Sequence, residues 1–220
     1  MDLARQSRLA LPAMAAESRK PETMRLFAAL DIPEDVRARI AVWSARELTD
    51  PALRRVASEN LHLTLCFLGR TAASRVDEAS AAVTSLPSEP VSISFSPTPA
   101  GRPLKRPAVW ALEADAPAAA TLHGRLSTDL ARAGLYELDD RPYWAHLTVA
   151  RTRPERGKRR RPQRVSKPPG GLPAELSRPF DAVRVSLYRS DLRSDGARHV
   201  SLTQKNLPPS ASSPGGEEGE

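Results

Sequence analysis

Hydrophobic and polar residues alternate in the same way along two short segments of this chain. In NLHLTL the polar positions are His62 and Thr64, and in AHLTV they are His146 and Thr148. Successive side chains of a β-strand point to opposite faces, so each histidine shares a face with the threonine two positions later. The pattern therefore predicts two half-buried strands, each with an imidazole and a hydroxyl on its polar face.

The segments that precede the two motifs predict the same order of elements. In both halves a strand, a helix with proline in its first turn and a loop lead to the motif strand. The spacing is also similar, 36 residues from Leu26 to His62 (62 − 26) and 37 from Val109 to His146 (146 − 109). This weak duplication predicts two similar lobes, related by a rough twofold axis, that bring the two motif strands to one cleft.

The composition fits one domain with a proper hydrophobic core. The chain has 220 residues, of which 40% are hydrophobic. We place the patterned domain at residues 24–206, between a flexible extension at 1–23 and a disordered tail at 207–220. The single cysteine, Cys66, excludes an intrachain disulfide and a cysteine-rich zinc site. No apolar run is long enough to span a membrane, so we expect no membrane partner.

The net charge of +7 is concentrated in one segment. Residues 151–167 contain nine Lys or Arg and one acid, Glu155, which gives +8 and leaves −1 for the rest of the chain. We predict a basic loop at 153–170, which its prolines keep from forming one continuous helix. Beside the second motif, such a loop is suited to the phosphates of an RNA chain, and a solvated loop is the alternative.

Two histidines that face each other across a cleft can act as a general acid and a general base near neutral pH. Two threonine hydroxyls beside them can donate hydrogen bonds to the oxygens of a phosphodiester. One His-x-Thr pair alone would indicate only a half-exposed strand, but two pairs arise from composition on the order of one time in a hundred. The pairing predicts phosphodiester chemistry without a metal or another cofactor. A metal hydrolase is disfavoured, since no cluster of His, Asp and Glu has ligand spacing.

Four segments resemble the 2H phosphoesterases, which are defined by two His-x-Thr/Ser motifs, and among them the RNA 2′,3′-cyclic phosphodiesterases once described as 2′-5′ RNA ligases. They are MRLFAALDIPEDVR from Met24, SENLHLTLCFLG from Ser58, RPYWAHLTVAR from Arg141 and VSLYRSDLRSDGARHVSL from Val185. The resemblance implies an α+β, bilobal fold in which two antiparallel sheets line a central cleft, with helices outside. It also implies hydrolysis of a 2′,3′-cyclic phosphate on RNA to a 2′-phosphomonoester.

The roles of the site residues follow from this resemblance. It makes His62 the proton donor to the leaving 3′ oxygen and His146 the proton acceptor that activates water, while Thr64 and Thr148 hold the phosphate. The near-symmetry of the two motifs leaves donor and acceptor undecided from the residues themselves. The family also has an arginine at the position of Arg151, which makes it a candidate phosphate ligand.

Other residues near the motifs allow more than one interpretation. Arg151 stands at an odd offset from the second histidine, so it faces the cleft only if the strand end twists or bulges; otherwise it faces solvent. Tyr143 is a candidate for stacking on a base, whereas we expect Trp144 to pack in the core. His123 and His199 lack a threonine two positions later, and we expect them to be structural or exposed.

Two alternatives to RNA-end hydrolysis stay open. One is a 2H phosphodiesterase or ligase that acts on 2′-5′ linkages or on small cyclic nucleotides. The other is an RNA-binding module without turnover, although a pure binder does not need two intact His-Thr pairs. Our expectation is a monomeric, cytoplasmic enzyme that acts on RNA with a 2′,3′-cyclic phosphate end.

Overall fold

The first half of the domain alternates strands and helices. The computed structural model describes residues 22–192 and 196–211. Its first elements are β1 (Thr23–Asp31), α1 (Glu34–Glu47), β2 (Leu53–Arg55), β3 (His62–Ala72), α2 (Val76–Thr84) and β4 (Ser92–Phe95). The first His-x-Thr motif therefore begins β3.

The second half contains a related series of elements followed by five more strands. The series is β5 (Ala100–Arg102), β6 (Val109–Asp115), α3 (Pro117–Arg132) and β7 (His146–Thr152), so the second motif begins β7. The remaining strands are β8 (Pro154–Glu155), β9 (Lys158–Pro162), β10 (Phe180–Asp181), β11 (Arg184–Leu192) and β12 (Ala197–Asn206). Across the described ranges, no helix has the length and apolar character needed to cross a membrane.

Ten of the strands form one curled antiparallel sheet. Its order is β10-β4-β6-β7-β3-β1-β11-β12, with β2 paired to β7 and β5 paired to β6. The two halves meet where β3 contacts β7, and this contact pairs Leu63 with Leu147. The predicted α+β bilobal fold is confirmed, and the two sheets expected to line the cleft are joined along this narrow seam.

Apolar stripes hold the helices against the sheet as the spacing predicts. In α3 the residues Leu122, Leu126 and Leu130 recur every four positions, and all three are buried. The helix ends before Gly134, whose φ of 65° is a conformation that favours glycine. The Leu135 N–H then donates to the Leu130 carbonyl (2.8 Å) and closes the last turn. In α1 the buried stripe consists of Val36, Ile40 and Trp43.

The basic segment contains a β-hairpin where the sequence predicted a loop. Strands β8 and β9 pair around Gly157, which has a φ of 75°. Arg106, from the loop before β6, forms an ion pair with Glu155 in this hairpin. Farther along, the Lys167 N–H donates to the Asp50 carboxylate (2.9 Å), and this bond is the chief cause that lowers the pKa of Asp50 to about 2. The segment is thus fixed to the body of the domain at both ends.

The described contacts continue slightly past both predicted boundaries. Thr23, which we placed in the extension at 1–23, begins β1. At the other end, Leu207 is buried and its N–H donates to the Val183 carbonyl (3.0 Å). The Ser210 hydroxyl donates to the Asp181 carboxylate (2.7 Å). Residues 1–21 and 212–220 of the predicted extension and tail lie outside the described residues.

Candidate active site

The seam between β3 and β7 brings the two motifs together. Because Leu63 lies opposite Leu147 in an antiparallel pair, one step along each strand sets each motif's histidine across from the other motif's threonine. The leucines are buried, whereas the motif's polar residues are half-buried and open to a cleft of about 820 Å³. All four polar residues line this cleft: His62, Thr64, His146 and Thr148.

Each motif strand carries a β-bulge directly after its threonine. Val149 is the extra residue on β7 after Thr148, and Leu65 is the extra residue on β3 after Thr64. An inserted residue reverses the alternation of faces, so the residue three places after the threonine returns to the cleft side. On β7 that residue is Arg151, which lines the cleft. The bulge that the odd offset of Arg151 required is therefore present.

On β3 the residue that the bulge turns into the cleft is Phe67. Its side chain is 52% exposed, and it lines the same cleft as the two motifs. The guanidinium of Arg25 lies over its ring, 5.2 Å from the ring centre. Sequence reasoning missed Phe67 because strict alternation assigns it to the buried face. An exposed aromatic face beside a polar cleft is suited to stacking against a nucleobase.

Two rings that do not line the cleft, those of Tyr143 and His123, form hydrogen bonds with the backbone at the β3 bulge. Tyr143 donates its hydroxyl to the Thr64 carbonyl (2.9 Å) and stacks on His123 (4.4 Å between ring centres). His123 donates from Nδ1 to the Leu65 carbonyl (2.8 Å). Burial raises the pKa of Tyr143. These contacts make His123 structural, as expected, and they give no support to base stacking by Tyr143.

Trp144 fixes the imidazole of His146 in two ways. The Nδ1–H of His146 donates to the Trp144 carbonyl (2.7 Å), and the imidazole stacks on the indole (3.8 Å between ring centres). The indole N–H donates to Glu113 (3.0 Å), which also accepts a hydrogen bond from Arg102 (2.8 Å). A carbonyl can only accept, so the proton of neutral His146 lies on Nδ1 and Nε2 is left to accept a proton. Trp144 thus positions a site residue, a role that the expected core packing did not include.

The surroundings of His146 favour its neutral form. Burial is the largest effect and lowers its pKa, and the positive charge of Arg151 lowers the pKa further. The Trp144 carbonyl and the carboxylate of Glu113 act in the opposite direction. The net result is a histidine whose pKa is below 6.5, with a free Nε2.

His62 lies among aromatic rings. Phe27 stacks on it (4.8 Å between ring centres), and the ring of Tyr188 lies against both Phe27 (5.2 Å) and His62 (6.3 Å). Burial lowers the pKa of His62 to about 4, with a further contribution from the charge of His199. A hydrogen bond to the Asn60 carbonyl opposes this shift. Before substrate binds, His62 is therefore neutral at pH 7.

His199 is a cleft residue that the sequence did not identify. It lies on β12 opposite Ser190, lines the cleft, and meets the ring of His62 edge-on at 5.4 Å. Its Nδ1 is buried and, among the described atoms, has no hydrogen-bond partner. We had expected an exposed or structural histidine. The strand pattern alone does not show that β12 reaches the cleft, because this depends on the pairing of β1 with β11 and of β11 with β12.

The cleft is cationic, but its charges come from unexpected positions. Besides Arg151, the lining residues include Arg25, Arg54, Arg55 and Arg198, with Glu59 as an acid among them. No described side chain of the segment 153–170 lines the cleft. Nor do the described residues contain a group of three or more His, Cys, Asp or Glu arranged to hold a metal ion.

Comparison with known proteins agrees with this geometry. The family model of the 2′-5′ RNA ligase superfamily matches residues 32–193. A relative named RNA 2′,3′-cyclic phosphodiesterase, from Escherichia coli (strain K12), is 33% identical over 131 residues, which cover 59% of this chain and 73% of the relative.

Solved structures show the same architecture. The crystal structure of E. coli LigT complexed with 3′-AMP superposes with a TM-score of 0.66 at 27% sequence identity, over 84% of this chain and 99% of that chain. A crystal structure of a protein from Thermus thermophilus superposes with a TM-score of 0.69 over 84% of this chain and 99% of that chain. At 24% identity, this second likeness concerns the fold alone.

Proposed function

Because this chain belongs to the 2′-5′ RNA ligase superfamily, we propose that it hydrolyses 2′,3′-cyclic phosphate ends of RNA to 2′-phosphomonoesters without a metal ion. The observation that carries the proposal is the seam pairing of Leu63 with Leu147, which sets two His-Thr pairs across one cleft. The E. coli relative, whose name states this activity, supports the choice of substrate. Two imidazoles and two hydroxyls supply every group that the reaction requires.

In the proposed reaction, Nε2 of His146 removes a proton from a water molecule, which attacks phosphorus. The hydroxyls of Thr64 and Thr148 donate to the non-bridging oxygens, and the charge of Arg151 offsets the negative charge that develops there. The bond between phosphorus and the 3′ oxygen breaks, and His62 donates its proton to that oxygen. The products are a 2′-phosphomonoester and a free 3′-hydroxyl, and exchange with solvent restores both histidines.

A proton donor must be protonated, whereas the pKa of His62 is low before substrate binds. His62 can therefore act as the proton donor only once substrate is present. A phosphate anion between the two imidazoles favours their protonated forms and opposes the effect of burial. The substrate thereby promotes protonation of its own general acid. Phe67, on the same wall as His62, offers a stacking surface for the base of the terminal nucleotide.

The test is incubation of the protein with an RNA oligonucleotide that ends in a 2′,3′-cyclic phosphate. Phosphorus NMR or chromatography against standards then distinguishes a 2′-phosphate product from a 3′-phosphate. We expect the 2′-isomer, and we expect His62→Ala and His146→Ala each to lower kcat by about 10²- to 10⁴-fold. Circular dichroism spectra should match those of the wild type. A wild-type rate in either variant, or a 3′-phosphate product, would contradict the mechanism.

A further inference from the structure

Three arginines cluster at one end of the cleft. Arg151 lies near the end of β7, and the short strand β2, which pairs with β7, supplies Arg54 and Arg55. Arg54 lies directly opposite Arg151 in the register of this pair. All three line the cleft that contains the two motifs. We refer to these three residues as the arginine edge.

The arginine edge is an uncompensated cluster of positive charge. Like charges directly opposite one another on neighbouring strands are destabilising. Along with burial, the charge of Arg54 lowers the pKa of Arg151. Within residues 22–192 and 196–211, no carboxylate forms an ion pair with any of the three, although nine other arginines form such pairs. A bound anion would remove the repulsion that the folded protein leaves uncompensated.

The position of the arginine edge relates it to the reacting phosphate. Thr148 and Arg151 are three residues apart on β7, roughly 10 Å on a regular strand, and the bulge shortens this distance. Adjacent phosphates of an RNA strand are separated by a distance of the same order. A phosphate held at Thr148 therefore has its nearest neighbour along the RNA within reach of Arg54 and Arg55.

The other cleft arginines are arranged differently. The guanidinium of Arg25 lies over the ring of Phe67, and the arginine opposite Arg25, Arg70 on β3, does not line the cleft. Arg198 on β12 lies opposite Asp191. The hairpin of β8 and β9 carries more charge, but its described side chains do not line the cleft. In the arginine edge, by contrast, both members of the cross-strand pair, Arg54 and Arg151, line the cleft that contains the two motifs.

We propose that Arg54 and Arg55 of the arginine edge form a second anion site, which binds the phosphate on the 5′ side of the terminal nucleotide, while Arg151 acts on the reacting phosphate. The preferred substrate is then an RNA end that carries this 5′-phosphate beside its 2′,3′-cyclic phosphate, rather than a cyclic nucleoside phosphate alone. This inference rests on the proposed function, since it takes the cyclic phosphate to lie between the two motifs.

The test compares two small substrates that differ by one phosphate. They are adenosine 2′,3′-cyclic phosphate and the same compound with a 5′-phosphate, and the readout is the ratio of their kcat/KM values. For the wild type we expect a preference for the 5′-phosphorylated compound on the order of tenfold, as for the loss of one charge-assisted hydrogen bond. In the double variant Arg54→Ser/Arg55→Ser the ratio should fall to near one. The variant Arg54→Lys/Arg55→Lys, which keeps the charge, should retain part of the preference.

The matched control removes the same charge from the hairpin. Arg156 and Lys158 are exposed there and do not line the cleft, so Arg156→Ser/Lys158→Ser should keep the wild-type ratio. A hairpin variant that loses the preference while the Arg54/Arg55 variant keeps it would overturn the inference. Equal kcat/KM for both compounds in the wild type would also overturn it and leave the proposed function intact. Hydrolysis of the RNA oligonucleotide but of neither small compound would overturn the inference as well, whereas failure on all three substrates would refute the proposed function.

Discussion

Replacing Asp31 with asparagine should destabilise the protein strongly, although Asp31 does not line the cleft. Asp31 is 8% exposed, and its carboxylate accepts three side-chain hydrogen bonds. The donors are Nε of Arg184 (2.8 Å) and the hydroxyls of Ser186 (2.7 Å) and Tyr188 (2.6 Å). The first two donate to Oδ2 and the third to Oδ1. Asparagine keeps the shape but offers one acceptor oxygen in place of two, and no charge.

The structure sets the size of this effect. In either orientation of the amide, at least one of the three donors faces an NH₂ group. Arg184 then loses its bond, or the hydroxyl of Tyr188 must accept instead of donate, and none of the remaining bonds has a charged acceptor. Hydrogen bonds to charged groups contribute about 1.5–3 kcal/mol each. The side chain of Arg184 is 36% exposed, so water replaces part of what it loses. We expect a net loss of about 3 kcal/mol in the free energy of unfolding, or about 6–12 °C in Tm for a chain of this size.

Urea unfolding and thermal melting measure this loss directly. The matched control is Asp35→Asn on the surface of α1, where the carboxylate is 70% exposed and forms an ion pair with Arg39 (2.8 Å). Exposed pairs of this kind contribute about 0.5 kcal/mol or less. If Asp31→Asn lowers the stability no more than the control does, the three hydrogen bonds do not stabilise the fold. Because Tyr188 stacks on Phe27, which stacks on the first histidine, the loss should also lower activity.

Three further predictions concern the reaction. Burial lowers the pKa of His62 and of His146 from 6.5, so the pH profile of kcat/KM should be bell-shaped with a maximum below pH 6.5. The pH profile of kcat should have its maximum at a higher pH. A kcat/KM maximum above pH 7 would contradict the assignment of these two histidines as acid and base. Thr64→Val and Thr148→Val should each lower kcat/KM by about 10- to 150-fold, the loss of one hydrogen bond to an anion, with melting temperatures near that of the wild type. In EDTA the rate should stay within about twofold of its untreated value, and a loss restored by a divalent ion would indicate metal-dependent chemistry.

Local patterns were sufficient to predict the motif strands and the main helices. Leu63 and Leu147 are both fully buried, as the alternation around them requires, because a strand with one buried face has little freedom of register. The leucines of α3 follow the same logic with a period near four. In each case apolar residues recur with a constant period over several helical turns or several residues of a strand.

Local patterns failed where tertiary packing overrides composition. Residues 97–107 are rich in Pro and Gly, a composition that favours a loop, yet they contain β5. A Cβ added at Gly101 would lie 2.7 Å from Pro107, so glycine permits a close approach there. The sequence SRVD from Ser74 has the form of a helix-capping box, yet α2 begins at Val76 after a 3₁₀ turn, and no side chain caps it. Turn and cap residues indicate a local preference only, and contacts with neighbouring parts of the fold decide where a strand or helix begins.

The arginine edge and His199 were not predictable for a different reason. Arg54 and Arg151 are 97 residues apart (151 − 54) and meet only because β2 pairs with β7. His199 reaches the cleft only because β1, β11 and β12 are neighbours in the sheet. Both features depend on strand order, which follows from long-range pairing. The two motifs could be predicted because apolar and polar residues alternate in the sequence around each of them.

The two motif strands share one backbone design, and the residue that each bulge turns into the cleft bears on the proposed assignment of acid and base. After the same bulge, β3 turns Phe67 into the cleft and β7 turns Arg151. The fixed charge of Arg151 opposes protonation of His146, whose free Nε2 suits a proton acceptor. On β3 the equivalent position holds Phe67 instead of a cation, and the pKa of His62 is low mainly because of burial. Substrate charge can offset burial, since a phosphate between the rings favours the imidazolium form. In the proposed mechanism His62 therefore becomes the acid when substrate is bound, which predicts a kcat maximum at a higher pH than that of kcat/KM.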